Sequence, residues 1–234
     1  MPATRFNLGL TGALILQAWA LAAPVRADTY VLDKDHTEVR FTWDHLGLSR
    51  QGGRFLDVEG AVTFDPNRPE DSTVDVKIPL KSIATGIPKL DEHLVRSKEF
   101  FDVEQFPVIT FKTTSVRRTD TKIAEVVGDL TINGVTKPVT LDVVWNFTGE
   151  HPLSAINPVY KDHYSSGFSA TTQIFRSDFG IIRSIPYVSD EIRITIETEM
   201  HREKEFSGPP LPPAEALLSK PADGLGDQKV DDTP

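Results

Sequence analysis

The run from Gly128 to Trp145, GDLTINGVTKPVTLDVVW, constrains this chain more than any other, because an Asn133-Gly134 pair separates two stretches of alternating apolar and polar residues. An Asn-Gly pair suits a two-residue type I′ turn, in which both central residues take positive φ. The register then follows by counting. Ile132 opposes Val135, Leu130 opposes Lys137, Gly128 opposes Val139 and Val126 opposes Leu141. The other face pairs Thr131 with Thr136 and Val127 with Thr140. One face is mostly apolar and the other mostly polar, as a half-buried antiparallel sheet requires. Something must therefore cover the apolar face.

The same alternation recurs along the chain. Val39, Phe41 and Trp43 alternate with Arg40, Thr42 and Asp44; Val62 and Phe64 flank Thr63. Val74, Val76, Ile78 and Leu80 form another stripe, followed by Ile109 and Phe111, by Phe168 to Ile174, and by Ile192, Ile194 and Ile196. Turn residues at Gly52-Gly53, Asp65-Pro66-Asn67, Thr119-Asp120 and Gly149 separate the runs. Many short strands without long helices predict an all-β fold, a barrel or a sandwich. Pro88 to Phe101 departs from the pattern: Leu90, Leu94, Ser97 and Phe101 share one helical face, with Asp91 and Glu92 near its start. Acids are favoured there by the helix dipole. A short helix over one barrel edge or end is expected. Leu153 to His163, preceded by Pro152 and containing Pro158, reads as a long loop, either at a mouth or as a plain connector.

Of the 234 residues, the first 27 have the form of a secretory signal peptide. Arg5 gives a positive start, Leu8 to Ala23 is largely apolar, and Val25-Arg26-Ala27 supplies the small residues of a cleavage site after Ala27. The apolar run is short for a spanning helix and is interrupted by Thr11 and Gln17, so no stable membrane insertion is expected after cleavage. The expected location is the periplasm or the outside of the cell. Cleavage removes two basic residues and no acid, which changes the net charge from −9 to −11. That balance argues against nucleic acid or an anionic membrane surface as a general partner. The chain has no cysteine, which excludes disulfides, zinc–thiolate sites, a cysteine nucleophile and a lipid-modified N-terminal cysteine. One folded domain is expected over 28–206. From about Ser207, Gly208-Pro209-Pro210-Leu211-Pro212-Pro213 opens an acidic, proline-rich tail, read as disordered over 207–234. Ala214 to Lys220 admits a short helical turn on contact with a partner that the sequence does not name.

Catalytic motifs are absent. The six histidines form no H-x-H, H-x-x-x-H or H-E-x-x-H, so no local metal chelate is expected. On one unbroken strand, His36 and His45 would fall on opposite faces. There is no G-x-S-x-G elbow, phosphate loop or dinucleotide fingerprint, and no cofactor is expected. What remains is polar groups on apolar faces. His45 shares parity with Val39, Phe41 and Trp43; Arg176 with Phe168, Ala170, Thr172 and Ile174; and Lys137 with the apolar face of the hairpin. Burying an unpaired charge is costly, so each should lie near a barrel end or meet a partner. For Arg176 the nearest acid of matching parity is Asp178. Each of the three reads either as an anchor at the mouth of an apolar cavity or as structural: an ion pair for Arg176, a satisfied core ring for His45, a snorkelling Lys137. Phe41, Trp43, Phe64, Phe111, Trp145 and Phe168 all take the apolar parity of their strands. They either fill a core or line a closed barrel of about eight strands, which is wide enough for one small ligand.

Four ordered motifs resemble the YceI family. They are Tyr30-Val-Leu-Asp33 with His36-Thr37 and Val39-Arg-Phe41; Leu90-Asp-Glu-His-Leu94 with Phe100-Phe101-Asp102-Val103 and Phe106-Pro107; Gly128 to Pro138; and Arg176-Ser-Asp-Phe-Gly180. The resemblance covers about Thr29 to Met200. It implies a lipocalin-like antiparallel β-barrel with one short helix beside it. It also implies an isoprenoid lipid or quinone bound in the barrel channel, commonly in the periplasm. It carries over no catalytic residue. The tail and the length of the 153–163 loop depart from the family pattern. On this reading the ligand-binding residues are Phe41, Trp43, His45, Phe64, Phe111, Leu130, Ile132, Leu141, Trp145, Phe168, Ile174 and Arg176, with His45 and Arg176 nearest the head group. A homodimer is compatible with it. Two other readings stay open: a lipid-modifying enzyme using His45 at the mouth, and an interaction protein with a filled barrel and a partner-recruiting tail.

Overall fold

A computed structural model describes residues 27–202; the expected signal peptide, apart from Ala27, and the expected tail lie outside that span. The strands are β1 (Asp28–His45), β2 (Ser49–Phe55), β3 (Glu59–Phe64), β4 (Thr73–Pro79), β5 (Ile83–Ala84), β6 (Val108–Asp120), β7 (Ile123–Ile132), β8 (Val135–Glu150), β9 (Tyr164–Phe175) and β10 (Glu191–Arg202). One helix, α1 (Pro88–Arg96), lies between β5 and β6. Neighbouring strands pair in the order β10-β9-β8-β7-β6-β4-β3-β1, and β10 pairs back onto β1. The result is a closed eight-stranded antiparallel barrel. The first part of β1 pairs with β3 and its last part with β2, which in turn carries β5. Closure satisfies both edges of a sheet whose strands could not otherwise hide them.

The hairpin of β7 and β8 has the register expected by counting. Leu130 opposes Lys137, Gly128 opposes Val139 and Val126 opposes Leu141. Asn133 and Gly134 take φ of 50° and 74°. On the polar face the hydroxyls of Thr131 and Thr136 lie 2.8 Å apart. The turn is tied to the segment after α1, because Asn133 Nδ2 donates to the carbonyl of Phe100 at 2.7 Å. The Phe106 ring covers Gly134 so closely that an added Cβ would come within 2.5 Å of it. Lys137 keeps the cavity-side parity of Leu130 but is exposed, in a shallow groove beside Phe175 and Asp178 at the rim. The register read from Asn133-Gly134 therefore stands.

Three local expectations need correction. Gly52 and Gly53 lie within β2, and the turn falls at Leu46 and Gly47, both with positive φ. Both positions are too close to β1 for a side chain: a Cβ on Gly53 would sit 2.7 Å from the Phe41 ring, and one on Gly52 would sit 2.8 Å from the Phe41 carbonyl oxygen. The turn between β6 and β7 falls at Thr121-Lys122, two residues past Thr119-Asp120. The helix ends at Arg96, with Ser97 in extended conformation, so Phe101 lies beyond it.

Two irregularities shift side-chain parity. Between Leu32 and Thr37, β1 carries extra residues relative to β10, so even-numbered Tyr30 and Leu32 and odd-numbered Val39 and Phe41 share the inner face. His36 lies in this bulge, so it and His45 are not on one unbroken strand. In β6 a bulge between Thr113 and Ser115 moves inward parity from Phe111 to Val116 and Arg118, which oppose Val126 and Ala124. Bulges commonly re-aim a side chain in this way.

Candidate functional site

The barrel encloses a cavity of about 470 Å³. All of the residues named from sequence as ligand-binding line it: Phe41, Trp43, His45, Phe64, Phe111, Leu130, Ile132, Leu141, Trp145, Phe168, Ile174 and Arg176. Their burial distinguishes a lined barrel from a filled one. Phe64, Leu130, Ile132 and Ile174 are buried. Phe41, Phe111, Trp145, Phe168, Val139, Ile192, Ile194 and Ile196 face inward yet are only partly buried. Inner-face residues of a filled core would lose nearly all their exposure.

The two barrel ends are built differently. At the Asp28 end, Phe64 meets Trp145 and Phe168 edge-on, with ring centroids 5.4 and 5.2 Å apart. Tyr30 and Met200, 2% and 1% exposed, complete this packed zone. Trp145 directs its indole N–H to Thr148 Oγ1 at 2.9 Å. At the His45 end, Phe41 stacks on Trp43 and tilts against Phe55. Leu90 and Leu94 of α1, with Phe100 and Phe101, cap the cavity there. Helix α1 starts without a side-chain cap, and Asp91 anchors it by accepting from the Thr85 N–H and hydroxyl at 2.8 and 2.6 Å. The amphipathic face expected from sequence is the face that closes the barrel.

Arg176 lines the cavity at this end but does not pair with Asp178. Strand β9 stops at Phe175, and Arg176 opens a 3₁₀ turn that ends at Phe179, so strand parity no longer applies. Its guanidinium donates to four backbone carbonyls, those of Ser189, Ile181, Arg183 and Val188, at 2.8 to 3.0 Å. At 6% exposure, its burial disfavours the charged form and lowers its pKa. Arg176 thus clamps the 181–189 segment. His45 is exposed and forms an isolated β-bridge with Val188, on the rim that Arg176 organises.

Counting parity from sequence missed several lining residues. Val116, Arg118 and Lys122 line the cavity at the Asp28 end. The β6 bulge hides the inward parity of Val116 and Arg118, and no sequence signal marked that bulge. The 151–163 loop closes its own neck through a bond from the His151 N–H to the His163 carbonyl at 2.7 Å. It contains a 3₁₀ turn at Pro158–Tyr160, and His151 stacks on Tyr160 at 4.0 Å. Among the described residues, no group of three His, Cys, Asp or Glu is placed to hold a metal, and no helix is long and apolar enough to cross a membrane.

The family model described as the YceI-like domain matches residues 30–200, the span of the barrel. The chain belongs to the YceI-like family. Relatives include a UPF0312 protein of Pseudomonas syringae pv. tomato, 37% identical over 176 residues, covering 74% of this chain and 84% of the relative. A UPF0312 protein of Photorhabdus laumondii is 38% identical over 199 residues, covering 84% of this chain and 97% of its own length. Among solved structures, Campylobacter jejuni YceI protein aligns with a TM-score of 0.61 at 29% identity, over 69% of this YceI-like chain and 90% of that one. Burkholderia cenocepacia BcnA aligns with a TM-score of 0.62 at 21% identity, over 72% and 98%. A polyisoprenoid binding domain from Saccharophagus degradans aligns with a TM-score of 0.53 at 14% identity, over 74% and 98%. The last two likenesses establish the fold.

Proposed function

We propose that this YceI-like chain binds an isoprenoid lipid, of the polyprenol or isoprenoid-quinone type, in its barrel cavity. It carries or sequesters that lipid after export, in the periplasm or outside the cell. The observation that carries the reading is the cavity of about 470 Å³ whose inward aromatic and branched side chains are only partly buried. A branched hydrocarbon chain matches such a lining. Burying it gains about 0.8 kcal/mol per CH₂, so each five-carbon unit adds roughly 4 kcal/mol. The polyisoprenoid binding domain of the same fold supports the ligand class, and the N-terminal signal-like run supports export. The partly buried lining weighs against a filled interaction barrel.

We read the chain as a binder rather than an enzyme. The likeness of fold to a polyisoprenoid binding domain supports that reading. Lipid extraction of protein purified from an exporting bacterial host, followed by mass spectrometry, tests the proposal. Isoprenoid species should co-purify at a stoichiometry near one. Protein that carries no lipid and takes up neither added prenol nor quinone would overturn it.

A further inference from the structure

The barrel wall is not sealed evenly. Strand β8 stays paired with β7 from Val135 to Val144, and β9 stays paired with β10 from Ser165 to Phe175. Between β8 and β9, pairing runs only from Glu150 and Tyr164 to Asp142 and Thr171. Toward the His45 end, residues 135–141 of β8 and 172–175 of β9 continue as strands without a ladder between them. Part of the reason lies in the sequence. After the two-residue turn at Asn133-Gly134, alternate residues from Val135 bond to β7, which directs the backbone groups of Thr136, Pro138 and Thr140 at β9. Pro138 has no N–H to give. Among the described residues, the side-chain bond that crosses this stretch runs from the Thr172 hydroxyl to the Thr140 carbonyl, at 2.7 Å.

Side chains close the gap in place of backbone. Val139, Ile174 and Phe179 each line both the cavity and the shallow outer groove that holds Lys137 and Asp178. Ile174 and Phe179 are buried, Phe179 at 2% exposure. Pro138 and Phe175 are exposed on the outer side of the same groove, so the approach is partly apolar. Both ends of the barrel are obstructed. The Phe64, Trp145 and Phe168 rings pack together at the Asp28 end. At the His45 end the segment after α1 is joined to the 181–189 segment by Glu99 and Arg183, 2.6 Å apart. Parting a laddered seam breaks a run of backbone hydrogen bonds, whereas parting this one breaks a hydroxyl bond and moves three side chains.

We propose that the β8–β9 seam is a lateral portal: the hydrocarbon chain of the ligand enters and leaves the cavity between residues 138–141 and 172–175, with Phe179 as the movable plug. The inference rests on the isoprenoid reading and adds the route to it. A slot along the strands lets a long chain be laid in sideways, whereas an end opening requires it to be threaded.

The chain has no cysteine, so cross-links can be placed one pair at a time in the full chain. Thr140→Cys with Gln173→Cys, both on the outer groove, is joined by a short, reducible bis-maleimide to pin the seam. Glu99→Cys with Arg183→Cys, joined in the same way, pins the His45 end. Thr131→Cys with Thr136→Cys pins two strands that are already laddered. Uptake of a quinone with two isoprenoid units is followed by stopped-flow quenching of tryptophan fluorescence, since Trp43 and Trp145 line the cavity. The seam cross-link should slow uptake and release at least about tenfold, keep the equilibrium affinity within about threefold, and lose its effect on reduction. The other two cross-links should leave the rates within about twofold. Unchanged rates in the seam-linked protein, a loss of affinity instead of rate, or equal slowing by either other link overturns the portal. The lipid reading survives each of these as long as the uncross-linked protein binds the quinone. A natural protein that binds neither the quinone nor geranylgeraniol overturns both proposals.

Discussion

Arg176 shows how one side chain can satisfy parity and still do something parity does not describe. Its position after Phe168, Ala170, Thr172 and Ile174 places it at the cavity, but its work is to hold four carbonyls of the 181–189 segment. Carbonyls are adequate partners for a buried guanidinium because five N–H donors in a rigid fork can be shared among several of them. Replacing it with methionine keeps much of the volume and strands those carbonyls. Arg176→Met should lower the unfolding free energy by about 3 kcal/mol, measured by urea denaturation. A loss below about 1 kcal/mol would mean that water satisfies the segment and the clamp is dispensable.

At the scale of elements, the bulge in β1 is held to β10 by a small acid–histidine network. Asp33 accepts from His201 Nε2 at 3.1 Å and from His36 Nδ1 at 2.8 Å, while His201 Nδ1 lies 3.1 Å from the Ser165 hydroxyl. The His201 bond chiefly holds the Asp33 carboxyl well below the usual carboxylate range, with the His36 bond adding to it against the opposing effect of burial. Asp33 in turn raises the pKa of His36. A raised pKa means that the protonated form is favoured on folding. The contribution of His36 is therefore full below about pH 6.5 and fades as the pH rises through its folded value. The stability lost on His36→Gln should be greatest near pH 5.5 and vanish by about pH 9. It should stay under about 1 kcal/mol, because His36 is 58% exposed. Urea midpoints of both proteins across that range check the sign; a loss that grows with pH would contradict it. The Asp33 contribution runs the other way, present at neutral pH and lost below about pH 4.

The whole molecule is organised around the barrel's interior. Val139 faces the cavity opposite Gly128, whose missing side chain makes room for the Phe111 ring; a Cβ there would lie 2.3 Å from it. Val139→Phe should place its ring in cavity space, leaving the melting temperature unchanged or raised. Chain-length competition with prenols of increasing length should show the longest retained chain shortened by about one five-carbon unit, since each unit needs its own apolar volume. An unchanged length limit would place the tail elsewhere.

The sequence by itself determined the hairpin register, the inward parity of Phe41, Trp43, Phe111, Leu130 and Phe168, and the amphipathic face of α1, because periods of two and 3.6 are local properties of the backbone. It also marked Arg176 and His45 as cavity-side, though their bonding partners lie in a segment 5 to 13 residues beyond Arg176 and, for His45, in the bridge to Val188. Only the tertiary structure decided that β10 returns to β1, making the apolar face the wall of a cavity rather than one half of a sandwich. It alone aimed Arg118 inward, because a bulge between Thr113 and Ser115 reverses the count. The physical reason is the same in both cases. Alternation fixes which residues share a face, whereas the curvature of a sheet, its bulges and its closure depend on pairings between residues far apart in the chain.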